Sequence, residues 1–414
     1  MALKTLSIGG FKTLREAELD FGRVNLFIGG NGTGKSNVLE AIGLLSASLK
    51  EISDIELQRR GVRLSAPTLF KSAFRNIKLR STFDLKATFD NDVSYDLSIK
   101  AGVAVEGLRF FSESISHKGR RLMGRSPNGV TVEGVSTAKR DIDPRRGLWD
   151  RFREAVEVSR DVEQELDRMS RYAIYAPQTA FLRGTEVESL PAEPVGLQGG
   201  GLAQAAKAVV EYARHNANGN LILRGLEIIR APGWTQSFRI QNSNPETTSR
   251  LVKTGNSSLY FIDRFMKEKR NILSAYDSSE GTLYLLFISV LMLHPNAPKI
   301  IAFDNVDNSL NPAVTQKVVE QIIEITSGQV YREAMIGPNQ VFLTSHNPTA
   351  LDAMDLFDND QRVFVVKREK AGHSQITRLE PPKGFSRADW IKKAGGKKLS
   401  ELWVAGYIEG ALGL

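Results

Sequence analysis

The sequence predicts an α/β protein with a mixed β-sheet and flanking helices. The first observation is a strand, a glycine-rich loop and a helix that follow one another across residues 24–45. The second is a pair of apolar runs, residues 299–304 and 341–346, which end in Asp304 and His346. Continuous apolar runs are typical of strands buried on both faces of a sheet. The third is period-two alternation across residues 81–111, which predicts antiparallel strands with one buried face.

The glycine-rich loop fits the phosphate-binding pattern G-x-x-x-x-G-K-[ST]. Its glycines allow successive backbone N–H groups to turn inward around an anion, and the dipole of the following helix favours phosphate at the same place. We expect Lys35 to reach the β- and γ-phosphates of ATP and the Ser36 hydroxyl to ligate Mg²⁺. A turn without a ligand is the alternative, but the order of strand, loop and helix argues against it. The predicted nucleotide-binding residues here are Gly29, Asn31, Gly32, Thr33, Gly34, Lys35, Ser36 and Asn37.

Composition limits the class of protein. The 414 residues suffice for two or three domain-sized units, and the 41% of hydrophobic and 25% of charged residues are an ordinary globular balance. The chain has no Cys, which excludes a disulfide framework and a thiolate metal site. Its N-terminus does not resemble a signal peptide, and the longest apolar run, residues 283–293, is too short for a bilayer. We therefore expect a cytoplasmic protein that does not contact membranes.

The positive charge leaves contact with DNA open. The net charge of +8 fits either nucleic-acid contact or a surplus of solvated Lys and Arg. Residues 118–146 are the best sequence candidate for contact with a polyanion, although a solvated loop or hairpin is the favoured interpretation. The arginines of this segment are Arg120, Arg121, Arg125, Arg140, Arg145 and Arg146.

Outside these motifs, periodicity and turn residues predict further elements. Strands are expected at 3–8 and 16–19 around a turn at Gly9-Gly10, and later at 172–177, 221–229, 237–241 and 363–367. The helix after the glycine-rich loop is expected to continue, with a break, to Leu57. Further helices are expected at 148–169, 202–212, 283–293 and 399–407. Residues 70–75 are interpreted as a loop near the nucleotide, and residues 196–201 as a glycine-rich joint.

Polar residues at the ends of the late elements carry the remaining chemistry. Asp304 ends its apolar strand as the carboxylate of a Walker B strand does, beside Mg²⁺. His346 ends the next strand, where a γ-phosphate sensor would lie. Residues 278–281, Ser-Ser-Glu-Gly, open the apolar helix and can offer an anion backbone N–H groups and a hydroxyl. An ordinary capped helix is the alternative for this last segment.

Together these residues resemble the ABC-type ATPases of the RecF/SMC/OLD group, the AAA-like branch common in bacterial anti-phage systems. The resemblance rests on an ordered set: the P-loop, a signature-like Ser278-Ser279-Glu280-Gly281, Walker B Asp304, a D-loop-like segment at 308–312 and a switch-like His346. It implies an ABC-type P-loop ATPase head formed by residues 1–100 and 261–414. Residues 101–260 would form an inserted α+β lid or arm.

The resemblance also implies a head-to-head homodimer. Each ATP would be held by Lys35, Ser36 and Asp304 of one subunit and by Ser278, Ser279, Glu280 and Gly281 of the other. ATP would join the heads and hydrolysis would release them, with ATP and Mg²⁺ as cofactors. Ser36 and Asp304 are the expected metal ligands, and His346 is the expected switch residue. Assembly beyond the dimer stays open.

One departure from the family pattern concerns catalysis. The family usually has Asp-Glu after the Walker B strand, whereas this chain has Asp304-Asn305. An amide can orient water but cannot accept its proton, and general-base help is worth about 10²–10⁴-fold. We therefore predict slow hydrolysis and a long-lived ATP-bound dimer. Asp307 is the nearest carboxylate that could substitute. A Q-loop glutamine is not evident, and Gln58 is only a weak candidate.

Two functions remain open at this stage. The favoured one is the sensor or scaffold of an anti-phage defence complex that controls a separately encoded effector, a nuclease or a toxin. The chain ends shortly after His346 without a nuclease-like acidic cluster, which favours a separate effector. The alternative is a RecF-like repair or recombination ATPase that binds DNA directly with strong salt dependence. A transporter subunit is disfavoured because the signature lacks the usual transporter form.

Overall fold

A computed structural model describes residues 3–75, 77–102, 107–137, 142–242 and 257–408. The strands are β1 (Leu3–Phe11), β2 (Leu14–Asp20), β3 (Val24–Ile28), β4 (Thr82–Phe89), β5 (Val93–Ala101), β6 (Leu108–His117), β7 (Arg120–Ser126), β8 (Gly129–Val132), β9 (Val135–Thr137), β10 (Ala173–Tyr175), β11 (Thr235–Asn242), β12 (Ser257–Asp263), β13 (Ile272–Ser274), β14 (Ile300–Phe303), β15 (Gln340–Ser345), β16 (Gln361–Arg368) and β17 (Ser374–Leu379). The α-helices are α1 (Lys35–Ser48), α2 (Asp54–Arg59), α3 (Leu148–Phe152), α4 (Arg160–Ser170), α5 (Thr179–Leu182), α6 (Leu202–His215), α7 (Gly219–Gly225), α8 (Glu280–Leu293), α9 (Pro312–Ser327), α10 (Gln329–Glu333), α11 (Arg387–Ala394) and α12 (Leu399–Val404).

A six-stranded sheet with the order β10-β14-β15-β3-β16-β17 lies at the centre of the molecule. Its first five strands are parallel and β17 is antiparallel, which confirms the predicted mixed sheet. The apolar runs predicted to be strands correspond to β3, β14, β15 and β16. Every residue of β3, β14 and β15 is buried, because helices or strands cover both faces.

Alternate side chains of these strands enter two hydrophobic cores. Phe27 and Phe342 belong to the core on one face, with α1 and the large antiparallel sheet. Leu26 and Leu343 belong to the core on the other face, with the apolar helices α8 and α9. The period of two in a strand sends neighbouring residues to opposite faces. The strands that carry the glycine-rich loop and Asp304 are therefore fixed from both sides.

The second sheet is antiparallel, with eight strands in the order β2-β1-β4-β5-β6-β7-β8-β9. The alternation across residues 81–111 correctly predicted β4, β5 and the start of β6. The predicted turn at Gly9-Gly10 was wrong, since β1 continues to Phe11, which pairs with Leu14. The chain reverses at Lys12-Thr13, where Lys12 has a positive φ of 47°. This turn brings Thr13 to the P-loop.

Of the two interpretations of the Arg-rich segment 118–146, a loop or a hairpin, the structure confirms the hairpin. It supplies β7, β8 and β9 to the eight-stranded sheet. Arg125 is buried and pairs with the buried Glu113, while Arg120 pairs with Glu133 and Arg146 with Asp150. Arg140 lies outside the described residues. Three of the arginines thus already face carboxylates, which weakens the segment as a polyanion site.

A three-stranded sheet, β11-β12-β13, lies before α8. The strand predicted at 237–241 corresponds to β11, and the helix predicted at 202–212 to α6. The strand predicted at 221–229 was wrong, because this segment forms α7 and a 3₁₀ turn at Leu226–Arg230. Its buried residues Ile222, Leu226 and Ile229 follow the spacing of one helical face. The segment is apolar, as the prediction assumed, but its buried residues follow the period of a helix and not that of a strand.

The helix predicted over 148–169 is interrupted. It comprises α3, a 3₁₀ turn at Arg153–Ala155 and α4. Val156 and Ser159 have extended backbone, and Ser159 precedes α4, whose first turn carries Asp161 and Glu163. Acidic residues at that position favour a new helix start. The helices α1, α2 and α12 lie where the sequence predicted helices.

The strand predicted at 172–177 corresponds to β10, which pairs with β14 in the central sheet. A segment expected in the inserted region thus contributes to the nucleotide-binding sheet. Near the expected boundary at residue 100, β5 and β6 pair directly, and β12 runs across residue 260. The expected three-part division therefore does not coincide with the sheet boundaries. Among the described residues, no helix combines the length and the apolar content that a membrane crossing requires.

Candidate functional site

The P-loop follows β3 at the edge of the central sheet where the parallel strands end. Ile28 pairs with Ser345, and Phe303 lies beside Leu343. The residues that come next, Gly29, His346 and Asp304, therefore meet at one edge. The sequence motifs predicted separately are brought together by this register.

Lys35 is held over the P-loop by three acceptors. Its Nζ donates to the carbonyl oxygens of Gly29 and Gly30, each at 2.8 Å, and lies 3.2 Å from Nδ1 of His346. Burial lowers the pKa of Lys35 to about 8, while Asp304 and Asp307 act in the opposite direction. Burial and the neighbouring Lys35 also lower the pKa of His346, which favours the neutral form of its ring. The pair thus places one cation and one neutral ring at the start of α1.

Steric contacts require glycine at two positions of the loop. A Cβ at Gly29 would lie 2.1 Å from the carbonyl oxygen of Val366. Gly34 has φ of 105°, and a Cβ there would lie 2.3 Å from Oγ of Ser374. Only glycine fits such a close approach and such a backbone. The loop is consequently pressed against β16 and β17.

A hydroxyl network fixes the other side of the loop. Thr13 Oγ1 lies 2.7 Å from Ser374 Oγ and accepts from Asn37 Nδ2 at 2.7 Å. Ser374 Oγ donates to the carbonyl oxygen of Thr33 at 2.5 Å. Thr33 Oγ1 donates to the carbonyl oxygen of Gly30 at 3.0 Å. Asn37 therefore stabilises the loop through Thr13, and Thr13 and Ser374 were not predicted from the sequence.

Ser36 and Asp304 form the arrangement expected of a magnesium site. Ser36 Oγ donates to Asp304 Oδ1 at 2.9 Å, and Thr344 Oγ1 donates to the same oxygen at 2.6 Å. Oxygen ligands of this kind are those that Mg²⁺ prefers. Thr344 was not predicted, although it lies within the apolar run that ends in His346. Its hydroxyl fixes the orientation of the carboxylate.

Asn305 and Asp307 follow Asp304 in a tight turn. Asn305 has a positive φ of 57°, its N–H donates to Thr344 Oγ1 at 2.8 Å, and its carbonyl accepts from the Tyr284 hydroxyl at 2.9 Å. Asp307 Oδ2 accepts from the backbone N–H groups of His346 and Asn347. Asp307 Oδ1 is buried without a hydrogen-bond partner among the described residues. Asp307 thus couples this turn to the switch-like histidine.

The signature-like segment lies against the D-loop-like segment of the same chain. Ser279 caps α8 and accepts from the N–H of Thr282 at 3.3 Å, and Glu280 accepts from Ser309 Oγ at 3.1 Å. Ser278 is buried and donates to the carbonyl oxygen of Ser274. Ser279 and Glu280 are exposed. They are available to a second molecule, as the sequence resemblance implies.

A cavity of about 430 Å³ opens beside Ser36 and Asp304. Gln58 and Gln178 both line it. Gln178 lies three residues after the end of β10 and was missed in the sequence, where the signal was only a predicted strand followed by a glutamine. Its amide oxygen is suitable as a further magnesium ligand or as an acceptor for a water molecule. Gln178 is therefore a stronger Q-loop candidate than Gln58, because it adjoins the strand next to β14.

Lys12, Glu40 and Arg63 form an ion-pair cluster at the same cavity. Glu40 lies one turn after Ser36 on α1, pairs with Lys12 and accepts from Arg63 Nε at 2.6 Å. The side chain of Glu40 is only 3% exposed, so its charge is compensated rather than free. This cluster holds the β1–β2 turn against α1.

The residues present fit ATP and Mg²⁺. The loop approaches β16 so closely that Gly29 admits no side chain, whereas the space beside Gly32 is open. Lys35 at the start of α1 supplies a positive charge, and Ser36 and Asp304 supply hard oxygen ligands. This combination of a backbone cradle, a cation and a metal-ligand pair matches the chemistry of a nucleoside triphosphate with Mg²⁺.

Two models of known protein families match parts of this chain. A family model described as "AAA ATPase domain" matches residues 1–168. A second, described as "AAA domain, putative AbiEii toxin, Type IV TA system", matches residues 206–352. The first match contains the P-loop, and the second contains the signature-like segment, Asp304 and His346.

Sequence relatives include proteins named "DNA replication and repair protein RecF". The one from Heliobacterium modesticaldum is 28% identical over 199 residues, which cover 42% of this chain and 51% of the relative. The one from Magnetococcus marinus is 47% identical over 64 residues, or 15% of this chain and 17% of the relative. The chain thus spans about half the length of the first relative.

A solved structure described as "Crystal structure of the SmcHead bound to the C-winged helix domain of ScpA" has the same fold. The alignment covers 93% of this chain and 100% of that chain, with a TM-score of 0.53 and 15% sequence identity. At this identity the likeness concerns the fold alone. In the order of its motifs and in its family matches, the chain is similar to ABC-type ATPase domains of the RecF/SMC-like group.

Proposed function

We propose that the chain binds ATP with Mg²⁺ and hydrolyses it slowly as an assembly switch. The observation that carries this proposal is the convergence of Lys35, Ser36, Asp304 and His346 at one edge of the central sheet. These residues come from distant parts of the chain, and only the parallel register of β3, β14 and β15 brings them together.

Each residue has a defined part in this activity. Lys35 would neutralise phosphate charge, and Ser36 and Asp304 would hold the metal ion. Bound Mg²⁺ supplies charge neutralisation that favours transfer of the terminal phosphoryl group to water. The neutral ring of His346, 3.2 Å from Lys35 Nζ, can exchange hydrogen bonds with a phosphate oxygen or a water molecule. Asn305 can orient water without taking its proton.

We further propose that two chains dimerise head to head around ATP. The exposed Ser279 and Glu280 at the start of α8 support a composite site, because backbone N–H groups at a helix start favour anions. ATP would then bind the dimer more tightly than the separate chains and shift the population towards it. Slow hydrolysis would keep the dimer assembled for a long time.

The favoured biological role is that of the ATP-gated sensor or scaffold of an anti-phage defence complex. In this role, the chain controls a separately encoded nuclease or toxin. The family model described as "AAA domain, putative AbiEii toxin, Type IV TA system", which matches residues 206–352, supports it. The test is the native mass of the complex purified from its own host with neighbouring genes intact and ATP present. A second, effector-like protein in the complex is the expected result.

A RecF-like repair or recombination ATPase that binds DNA directly is the second candidate. The RecF relatives support it. A homodimer purified without a second protein, but with DNA that is released by salt, would overturn the defence role in favour of this one. A protein with neither ATP binding nor ATP-dependent assembly would contradict both.

A further inference from the structure

The carboxylate of Glu188 occupies a pocket of backbone N–H groups in the glycine-rich loop 196–200. Its Oε1 accepts from Gln198 at 3.0 Å and from Gly200 at 2.9 Å, and its Oε2 accepts from Leu197 at 3.0 Å. Three converging N–H donors form the kind of concavity that binds an anion. A Cβ at Gly196 would lie 2.2 Å from Oε1 of Glu188, so the loop is shaped around this carboxylate.

The 196–200 loop is joined to the segment that carries Gln178. The N–H of Ala176 donates to the carbonyl oxygen of Leu197, and the N–H of Gln178 donates to that of Gln198, both at 3.0 Å. These two bonds continue the edge of the central sheet beyond β10. On the other side of β10, the N–H of Asp304 donates to the carbonyl oxygen of Tyr175 at 3.0 Å. A continuous hydrogen-bonded path thus leads from Glu188 to Asp304.

Glu188 also belongs to the wall of the cavity beside Ser36 and Asp304, as do Gln178 and Gln198. The carboxylate is therefore both a lining residue of this cavity and the anchor of the loop that fixes Gln178. The residues just before it, Gly184 to Val187, are exposed, and Val187 is 91% exposed. Glu188 is the point at which this exposed strap is attached to the cavity wall.

The opposite end of the strap contacts the signature-like segment. Arg183 Nη2 donates to the carbonyl oxygen of Ser278 at 3.4 Å, and its guanidinium lies 5.6 Å from the ring centroid of Tyr276. Residues 183–188 therefore connect the start of α8 with the cavity beside the magnesium ligands.

We propose that Glu188 is a positioning residue for the magnesium side of the nucleotide site. It holds the 196–200 loop and thereby keeps the amide of Gln178 at the cavity that Ser36 and Asp304 line. This proposal rests on the proposed ATP and Mg²⁺ binding. The P-loop itself does not depend on Glu188, because its contacts are with β16, β17 and the Lys12-Thr13 turn. Glu188 should accordingly affect the contribution of Mg²⁺ and not the contribution of the P-loop.

The first test uses the protein without nucleotide. Glu188→Ala removes three charge-assisted hydrogen bonds, so the amides of residues 197, 198 and 200 should exchange with deuterium at least about tenfold faster. Glu186→Ala is the matched control, since it removes the same charge from an exposed position of the same strap. Glu188→Gln retains an acceptor oxygen and should lie between the two. Equal exchange in Glu188→Ala and Glu186→Ala would overturn the anchoring role.

The second test measures ATP affinity with Mg²⁺ and with EDTA. In EDTA, Glu188→Ala should bind ATP with the same affinity as the wild type. The increase in ATP affinity that Mg²⁺ gives should be about tenfold smaller in Glu188→Ala than in the wild type. Gln178→Ala should show the same two results. If both act through one path, the double variant should lose no more than either single variant. Acetate should restore part of the gain in Glu188→Ala alone, because it can enter the vacated N–H pocket.

The outcomes separate this inference from the proposed function. If the wild type does not bind ATP in either buffer, the proposed function fails, while the exchange experiment still decides whether Glu188 anchors the loop. If the wild type binds ATP and Glu188→Ala retains the full gain from Mg²⁺, the positioning role is wrong and the proposed function stands. If Glu188→Ala loses as much ATP affinity in EDTA as in Mg²⁺, the positioning role is also wrong, because such a loss would indicate general damage to the protein.

Discussion

Asn305 directly follows Asp304, at the position where the sequence resemblance implies a carboxylate that activates water. The backbone of Asn305 is fixed by Thr344 and Tyr284, so a substitution of its side chain should leave the turn intact. We expect Asn305→Glu to raise the rate of ATP hydrolysis by about 10²-fold, because it adds a general base. The measurement is phosphate release under single-turnover conditions, and Asn305→Gln is the control of equal length without a base.

This prediction has a clear contrary result. If Asn305→Gln and Asn305→Glu hydrolyse ATP at the same rate, a carboxylate at this position is not what limits the reaction. If the wild type already turns over many times per second, slow hydrolysis itself is wrong. Asp307 would then be the next residue to change, since one of its oxygens is buried and unpartnered in the described chain.

The lowered pKa of Lys35 predicts a pH dependence of ATP binding. Burial lowers this pKa to about 8 in the free protein, and the negative phosphates of bound ATP would raise it. Binding should therefore take up a proton above pH 8, and affinity should fall about tenfold between pH 7 and pH 9. Titration calorimetry in two buffers of different ionisation enthalpy measures the uptake. Lys35→Arg stays charged and should bind with a flat pH profile; a flat profile in the wild type would contradict the assignment.

At the residue scale, the sequence identified those site residues that belong to ordered motifs. Lys35, Ser36, Asp304 and His346 were predicted as candidates, and the structure brings them together. Thr344, Gln178 and Glu188 were not predicted, since a hydroxyl in an apolar run and single polar residues in a loop follow no spacing rule. Their importance arises from strand register and from hydrogen bonds between distant residues, which a single sequence does not show.

At the scale of elements, Arg125 is the informative departure within the Arg-rich segment. Charge patterning indicated a solvated loop or hairpin, and the segment does form hairpins, yet β7 carries Arg125 into the interior, where its side chain is 7% exposed beside a fully buried Glu113. Arg125 also donates to the carbonyl oxygens of Asp143 and Arg146, which lead into α3. The number of charged residues in a segment does not distinguish an arginine that pairs with a carboxylate inside the protein from one that faces a polyanion.

The buried pair gives a stability prediction. Arg125→Met should lower the free energy of unfolding by about 3–5 kcal/mol, because it leaves Glu113 buried without a cation. Adding Glu113→Gln should recover part of this loss, since no charge then remains inside. Chemical denaturation measures both variants, and Arg121→Met is a control in the same strand at an exposed position. A loss below about 1 kcal/mol in Arg125→Met would mean that the pair is solvated.

Glu113 also predicts how stability changes with pH. Burial raises its pKa from 4.5 to about 7, although Arg125 acts in the opposite direction. The folded chain therefore binds a proton more tightly than the unfolded chain, and its stability should fall as pH rises from about 4.5 to about 7. Glu113→Gln should abolish this slope. Unfolding midpoints at pH 5, 6, 7 and 8 measure it, and an unchanged slope in Glu113→Gln would assign it to other groups.

Two of the incorrect secondary-structure predictions have a common physical origin. Residues 221–229 have apolar residues at a spacing compatible with strand or helix, and tertiary packing of Ile222, Leu226 and Ile229 selects the helix. The Gly9-Gly10 pair is compatible with a turn or with a strand, and pairing with β2 and β4 selects the strand. Where long apolar runs left a single interpretation, as in β3, β14 and β15, the prediction was confirmed.

At the scale of the whole molecule, the proposed dimer would draw each nucleotide site from two chains, with the signature-like segment of one chain facing the P-loop of the other. The P-loop and Asp304 lie together, whereas Ser279 and Glu280 are exposed and Glu280 accepts a hydrogen bond from Ser309 in the D-loop-like segment of its own chain. A second chain that supplied its own Ser279 and Glu280 would complete the site. A head-to-head dimer would have two such sites, and two differently inactivated chains could then complement each other, which a monomeric ATPase does not allow.

Complementation between two inactive variants tests this arrangement. Lys35→Ala disables the P-loop of one chain, and Glu280→Trp blocks the exposed start of α8 in another without removing the Ser279 cap. Each alone should fail to dimerise with ATP. In a mixture, one of the two sites of the heterodimer combines both lesions, and the other combines an intact P-loop with an intact signature. We therefore expect ATP-dependent capture of one tagged variant by the other. If the mixture behaves as the separate variants do, each chain completes its own site and the head-to-head dimer is wrong.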